Sequence, residues 1–535
     1  MHTNDLITDN LHIRLHLSDV EPPKPSQDGP TLVLASPLSG IDTPSPFQLL
    51  INGDPIPTIS NIDYSYAYFS PAPGSFTIQI SHPSAALQSC RITPLKLSIT
   101  PQITAGVVTA TLPSTGYYIL KIDSYPELLL ISEPREDHIP PPLGFRIHNV
   151  ISAGAKDNNT SISATTAAFQ TCIDAANAAG GGTVFVPAGL YSVGNLVLKS
   201  NVSLYLAAGS TLRFDPTYAY KIHWHKNSQG RRPITWWIAT EFGSRNVKIF
   251  GRGVIDGNGV ASARANIGNN LLVPISTSDF SCSGILFRNS ASWAVTPVLV
   301  DGGEFRDVKF LNRFRDSGEN DGIDVMHSSN ILIHNAIGVG LDDPFSTKTW
   351  SASLSDIAVP WPIPADGLPG NDGVTFEQTL SWTICFGLKV GAGVWASQQN
   401  ITFRRAVVYD CSIGIGIHFQ AGDSWVRGVG FEDVDVEGVT WTNMNMRTWC
   451  AFFVTGGTDP TDGAQAAIGN VSVQDVRVRD KGQTTAQLVG RNDGKGKLRG
   501  VLFNNVTLPD GERAKDLDEM GFTGGVRFAE NIRVI

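Results

Sequence analysis

One short pattern recurs through most of this chain: a turn residue, then alternating apolar residues. It reads NVSLYL at Asn201, NVKIFG at Asn246, NILIHN at Asn330, GVTFEQ at Gly373 and NITFRR at Asn400. NVSVQD at Asn470, GVLFNN at Gly500 and NIRVI at Asn531 continue it. Several intervals are about one or two times a period of roughly 22 residues, within the range of solenoid folds. A unit that short cannot bury its apolar face alone, whereas stacked units share one continuous core. A sandwich of two sheets gives no reason to keep one motif through so many units. The pattern predicts a parallel β-helix over residues 143–535. The stretch SATTAAFQTCIDAANAAGGG places Phe169, Cys172, Ile173 and Ala176 at helical spacing before Gly180. A helix there would cap the first coil and cover its open sheet edge.

The N-terminal part has a different texture. Segments such as FQLLING, YSYAYFS, SFTIQIS, LKLSIT, VVTATL, YYILKI and ELLLIS alternate with clusters of Pro, Gly, Asn and Ser. Short strands so punctuated predict an antiparallel β-sandwich. The proline-rich SEPREDHIPPPLGF then reads as a stiff linker, so residues 1–142 form the sandwich and linker. Composition agrees with an all-β protein: 17% charged residues, 53 glycines and 32 prolines suit turn-rich architecture. A net charge of −9 argues against nucleic acid, which selects a basic stripe. No apolar run is long enough to span a membrane. The six cysteines form no CxxC pair, so mostly buried thiols, with room for one disulfide, are expected in place of a zinc site. His223 and His225 share one strand face but have no third ligand, so neither a metal nor a cofactor is expected. The first seventeen residues lack the pattern of a secretory signal, which fits a cytosolic protein or a secreted one already freed of its leader. Sequons at Asn158, Asn201, Asn400, Asn470 and Asn505 fit secretion, and fit ordinary turn chemistry equally well.

Acidic residues concentrate in ENDGIDVMHSSNILIHNAIGVGLDDPFSTKT, residues 319–349. Residues one coil apart lie on neighbouring strands, about 4.8 Å apart. Asp342 and Asp343 follow Asp321 by 21 and 22 residues, so the three should converge at one sheet edge. Ile323, Val325, Phe345 and Thr347 then point inward, and Asp324, Ser346 and Lys348 outward. Two adjacent aspartates cannot both project one way from a regular strand, so LDD should bend. Clustered carboxylates raise one another's pKa, which yields a protonated acid beside ionised partners. That is the division of labour of inverting glycoside hydrolysis. A solvated turn pair or a calcium site is the alternative on spacing alone.

The segments FRNSASWAVTPV, NDGIDV and LDDPFSTK, in that order, resemble the polygalacturonase clan of β-helix glycosidases. The resemblance covers residues 146–535 and implies a right-handed, pectin-lyase-like β-helix and an inverting O-glycosyl hydrolase. By position it implies Asp342 as general acid, with Asp321 and Asp343 holding and activating water. Asp324 keeps the trailing acidic position of the motif as a supporting partner, and Glu319 stands where an asparagine is usual.

The departures concern substrate grip. CFGLKVGAG puts Phe386 where the family has histidine, and IGIGIHFQAG puts Gly416 and His418 where it has arginine and lysine. Bidentate recognition of a sugar carboxylate is thereby weakened. Gly387, Gly414 and Gly416 are expected to leave room for a sugar, bordered by Lys348, Lys389 and His418. Trp350, Trp382 and Trp395 are candidate aromatic platforms. The related dextranase and isopullulanase family also carries an N-terminal sandwich. The sequence reading therefore prefers a neutral α-glucan, with a pectic hydrolase, a calcium-dependent lyase and a non-catalytic glycan-binding β-helix as alternatives. The partner in each case is a carbohydrate, and oligomeric state is not legible.

Overall fold

The computed structural model describes residues 31–32, 42–157, 161–226, 232–313, 318–351, 367–456, 467–492 and 496–535. The first seventeen residues and the Asn158 sequon lie outside them. From Ile147 onward, parallel strands stack coil upon coil. The repeated motif forms one wall, in strict register: Ile331 pairs with Val374, Val374 with Ile401, Ile401 with Val429, and Val429 with Val471. Inside that wall Phe376, Phe403 and Phe431 stack face to face, with centroids 4.7 and 5.2 Å apart.

The residue that opens each repeat has a physical explanation. Asn246, Asp279, Gly302, Asn330, Gly373, Asn400, Gly428, Asn470, Gly500 and Asn531 occupy the same corner of successive coils, all with positive φ. Only glycine enters that region freely, and asparagine and aspartate tolerate it better than other residues. Several asparagines also donate along the stack, as Asn330 does to Asp301 and Asn400 to Asp372. The sequon asparagines among them are therefore corner residues of the helix.

Two details differ from the sequence reading of the period. The steps from Asn201 to Asn246 and from Asn330 to Gly373 are single coils, since Leu204 pairs directly with Ile249 and Ile331 with Val374. Long excursions between walls had imitated a double period. The helix Ile162–Ala178 buries Ala168, Phe169, Cys172, Ile173 and Ala176 against the first coils and ends before Gly180, as its spacing predicts. All six cysteines are free, and five are buried. No helix among the described residues is long and apolar enough to cross a membrane.

The N-terminal strands form two sheets, one built on Tyr64–Ser70, Glu127–Ser132 and Gly116–Ile122, the other on Gln48–Ile51, Phe76–Ser81 and Val107–Leu112. Among the described residues, pairing there is antiparallel except between Tyr64–Ser70 and Glu127–Ser132, which run parallel. Alternate residues of the first sheet face opposite ways. Phe69, Leu120, Leu128 and Leu130 meet the second sheet, while Tyr64, Tyr66, Tyr68, Ile119, Leu129 and Ile131 meet Leu286, Leu311, Ile337, Leu380 and Trp382 of the β-helix. Charges cross that seam in pairs. Arg288 bonds Asp42, Asp256 and the Tyr66 hydroxyl, and Lys309 bonds Glu133 and the Tyr68 hydroxyl.

A further wall carries the acidic segment. Strands Ile323–Met326, Phe345–Lys348, Phe386–Gly393, Ile413–Ala421 and Thr448–Val454 follow one another in parallel. Isolated bridges Val295–Ile323 and Val298–Met326 join the SWAVTPV segment to its first strand.

Candidate active site

Register brings the carboxylates together. Ile323 pairs with Phe345 and Asp324 with Ser346, so one coil separates them by 22 residues. Ile323, Val325 and Phe345 enter the core, which turns Asp324, Ser346 and Lys348 to the outer face. Between Val339 and Phe345 the chain leaves the strands, and the Asp342 carboxylate accepts the Asp343 amide at 3.1 Å. This bend aims the two neighbouring aspartates differently. Asp321, Asp342 and Asp343 line one cleft of 280 Å³, together with Glu319, Lys348 and Lys389. Trp293, Trp350, Ala392, Gly393 and Gln420 complete its walls.

Two lysines organise the charge. Lys348 Nζ lies 2.7 Å from Asp321 Oδ2, 2.9 Å from Asp324 Oδ1 and 3.8 Å from Asp343 Oδ2. Lys389 Nζ lies 2.6 Å from Asp343 Oδ2. Asp321 and Asp343 each retain a buried Oδ1 with no hydrogen-bond partner among the described residues. Lys348 also sits 4.3 Å above the Trp293 ring, which stacks on Trp350 at 5.3 Å.

The aspartates consequently differ. Burial, then the charges of Asp321 and Asp343, push the Asp342 carboxyl up to about 7. Burial acts on Asp343 in the same direction, but Lys389 and Lys348 outweigh it and hold that carboxyl below its ordinary range. Asp324, deep beneath the cleft, is raised well above the usual value by burial and by Asp321. It accepts hydrogen bonds from Ser346 and Lys348 and so anchors the lysine. Burial works against the Lys348 ammonium, yet Asp321, Asp324 and Asp343 raise its pKa well above the usual value.

The structure places the remaining sequence candidates elsewhere. His418 is outside the cleft lining, 3% exposed, stacked on Phe453 at 4.5 Å and bonded to Thr455. Burial and Lys389 push its pKa down to about 3, so it carries no charge at neutral pH. Trp395 is also outside the lining, behind Gly393, with its backbone amide on Thr349. Trp382 belongs to the sandwich seam. The expected space over the glycines is filled. A Cβ at Gly416 would sit 2.3 Å from the Phe386 ring, and one at Gly387 would sit 2.6 Å from Val408. Trp293 was not singled out from sequence, although it lies in the SWAVTPV segment, and Gln420 and Cys385 carried no sequence signal. Asp342, Asp343 and Cys385 bring ligand atoms within 4.8 Å of one another. A cation there would meet the Lys389 and Lys348 ammonium groups already on Asp343, so this donor set fits a metal poorly.

Fold and site together are those of a parallel β-helix with a carboxylate cluster on its flank. The similarity to the polygalacturonase clan of β-helix glycoside hydrolases holds in sequence and in structure. No family model matches the chain. It is 35% identical to the exo-poly-α-D-galacturonosidase of Dickeya chrysanthemi over 166 residues, 28% of this chain and 27% of that protein. It is 25% identical to a probable polygalacturonase of Vitis vinifera over 369 residues, 65% of this chain and 72% of the other. The exopolygalacturonase of Thermotoga maritima shares the fold, with a TM-score of 0.53 at 17% identity, covering 75% of this chain and 93% of that one.

Proposed function

We propose that this protein is an inverting glycoside hydrolase acting on a pectic, galacturonan-type polysaccharide. The observation that carries the reading is the meeting of Asp321, Asp342 and Asp343 in one cleft, with the Lys389 ammonium 2.6 Å from Asp343. Asp342, held up at about 7, keeps a proton to give to the leaving glycosidic oxygen. Asp343, held low by its lysines, stays ionised. Asp321 and Asp343 line the cleft beside Asp342, and one of them takes the proton of the attacking water. Lys348 lies on Asp321 and Lys389 on Asp343, and the two ammonium groups keep Asp342 from rising further. Trp293 and Trp350 offer an aromatic wall for a sugar ring.

The neutral α-glucan preferred from sequence is set aside in favour of its pectic alternative. The relatives are named for galacturonan, and the cleft does hold two ammonium groups, although neither stands where the family's cationic pair would. The test is turnover on polygalacturonate, methyl-esterified pectin, rhamnogalacturonan, dextran and pullulan by wild type and Asp342→Asn. Cleavage of a pectic polymer, lost in the variant, is expected. Cleavage of dextran or pullulan alone, or activity indifferent to the substitution, contradicts the reading.

A further inference from the structure

Cys385 enters the site from the coil after the aspartates, and nothing in the acid–base scheme so far uses it. Its position is fixed by a tight turn. The Thr383 hydroxyl donates to the Asp342 carbonyl at 2.6 Å and accepts the Cys385 amide at 3.0 Å. That turn ties the entry of the next strand to the bend carrying Asp342. The thiol is buried, 6% exposed, and its sulfur lies within 4.8 Å of a carboxylate oxygen of Asp342 and of Asp343. The charged groups facing it are those two carboxyls and Lys389. Lys389 is committed to Asp343 Oδ2, whereas a thiol hydrogen can swing between two acceptors by rotation about one bond.

We infer that Cys385 is a positioning residue for the acid–base pair, its single S–H turning to the otherwise partnerless Oδ1 of Asp343 while Asp342 holds the catalytic proton, and to Asp342 once that proton has passed to the leaving group. The inference rests on the proposed role of Asp342 as general acid. The sulfur forms no covalent bond and its own proton returns unchanged each cycle. Burial, with Asp343 and Asp342 beside it, pushes the thiol well above its ordinary value, so it remains a neutral donor throughout. The thiol in turn helps hold the Asp343 carboxyl low. A neutral donor stabilises whichever neighbour is charged without adding a third negative charge, which a carboxylate or thiolate at that position would do.

The test compares Cys385→Ala and Cys385→Ser in the full-length chain, on the pectic substrate that wild type cleaves. The alanine variant should lose about tenfold in kcat, the effect of one hydrogen bond to a charged group, with KM little changed. Both limbs of its pH–rate profile should move to higher pH, because both carboxylates lose a donor to their charged form. The serine variant keeps a donor and should keep limbs near those of wild type. A merely structural role would lower Tm in both variants and leave the limbs in place. Limbs that move equally in the two variants, or in neither, overturn the inference. Wild type supplies a measurement that no variant's folding can spoil. The S–H stretching band of Cys385 should shift as pH rises through 7, where Asp342 loses its proton. A band that stays put overturns the inference as well. The parent reading fails separately, when Asp342→Asn retains turnover, and the Cys385 assignment then falls with it.

Discussion

Lys389 Nζ lies 2.6 Å from Asp343 Oδ2, and this pair separates two sequence neighbours into an ionised and a protonated carboxyl. Replacing Lys389 with methionine removes that charge while keeping much of the side-chain volume. Asp343 should then titrate higher, and the acid limb of kcat/KM should move up in pH. Activity at mildly acidic pH should fall at least about tenfold, since each pKa unit is a factor of ten in the ionised form. A pH–rate profile of the variant checks this, and an unmoved acid limb would disconnect Lys389 from the pair.

The profile of the wild type should be a bell. Its alkaline limb should lie near 7, where Asp342 loses the proton it must donate, and its acid limb should lie below the ordinary carboxylate range, where Asp343 becomes protonated. Asn at position 321, 342 or 343 should each cost about 10²–10⁴ in kcat, the range for lost general acid or base catalysis. Steady-state kinetics with matched thermal melts would separate chemistry from folding.

Lys348 and Lys389 supply the counter-charges that a metal supplies in other carboxylate clusters. Turnover should therefore be unchanged by EDTA and by added calcium. Calcium dependence together with an unsaturated, ultraviolet-absorbing product would instead identify a lyase.

At the seam, Glu437 accepts the Leu95 amide at 2.6 Å and the Thr93 hydroxyl at 2.5 Å. Burial pushes its carboxyl up to about 7. The folded chain then binds a proton that the unfolded chain releases, so this group favours the folded state below about pH 4.5 and that contribution is lost as pH rises to about 7. Glu437→Gln should flatten the fall in Tm over this window and raise stability at pH 8 by a few kcal/mol at most. Melts at several pH values check the sign.

Much of this was legible in the sequence, for a definite reason. The Asp321-to-Asp343 step crosses a coil with no excursion, so sequence distance and spatial register coincide. The corner asparagines were visible because only a few residue types tolerate their backbone. Where an excursion intervenes, the correspondence is lost. Lys389 lies 46 residues beyond Asp343, and its pairing partner cannot be counted from a 22-residue period. His418 looked like a cleft residue from its strand position, but Phe386 folds over Gly416 and His418 packs against Phe453, a tertiary choice that alternation does not encode. The sandwich strands likewise announced themselves by alternation, whereas nothing in their pattern said that the outer tyrosines would be buried against the β-helix.

The stereochemistry of cleavage tests the central claim most directly. Proton NMR of the first product from the active polysaccharide, recorded before mutarotation, should show the anomeric configuration opposite to that of the bond cleaved. Asp342 would then have acted as acid while Asp321 and Asp343 delivered water from the other face. A product that retains the configuration would require a covalent intermediate and would contradict the assignment of all three aspartates.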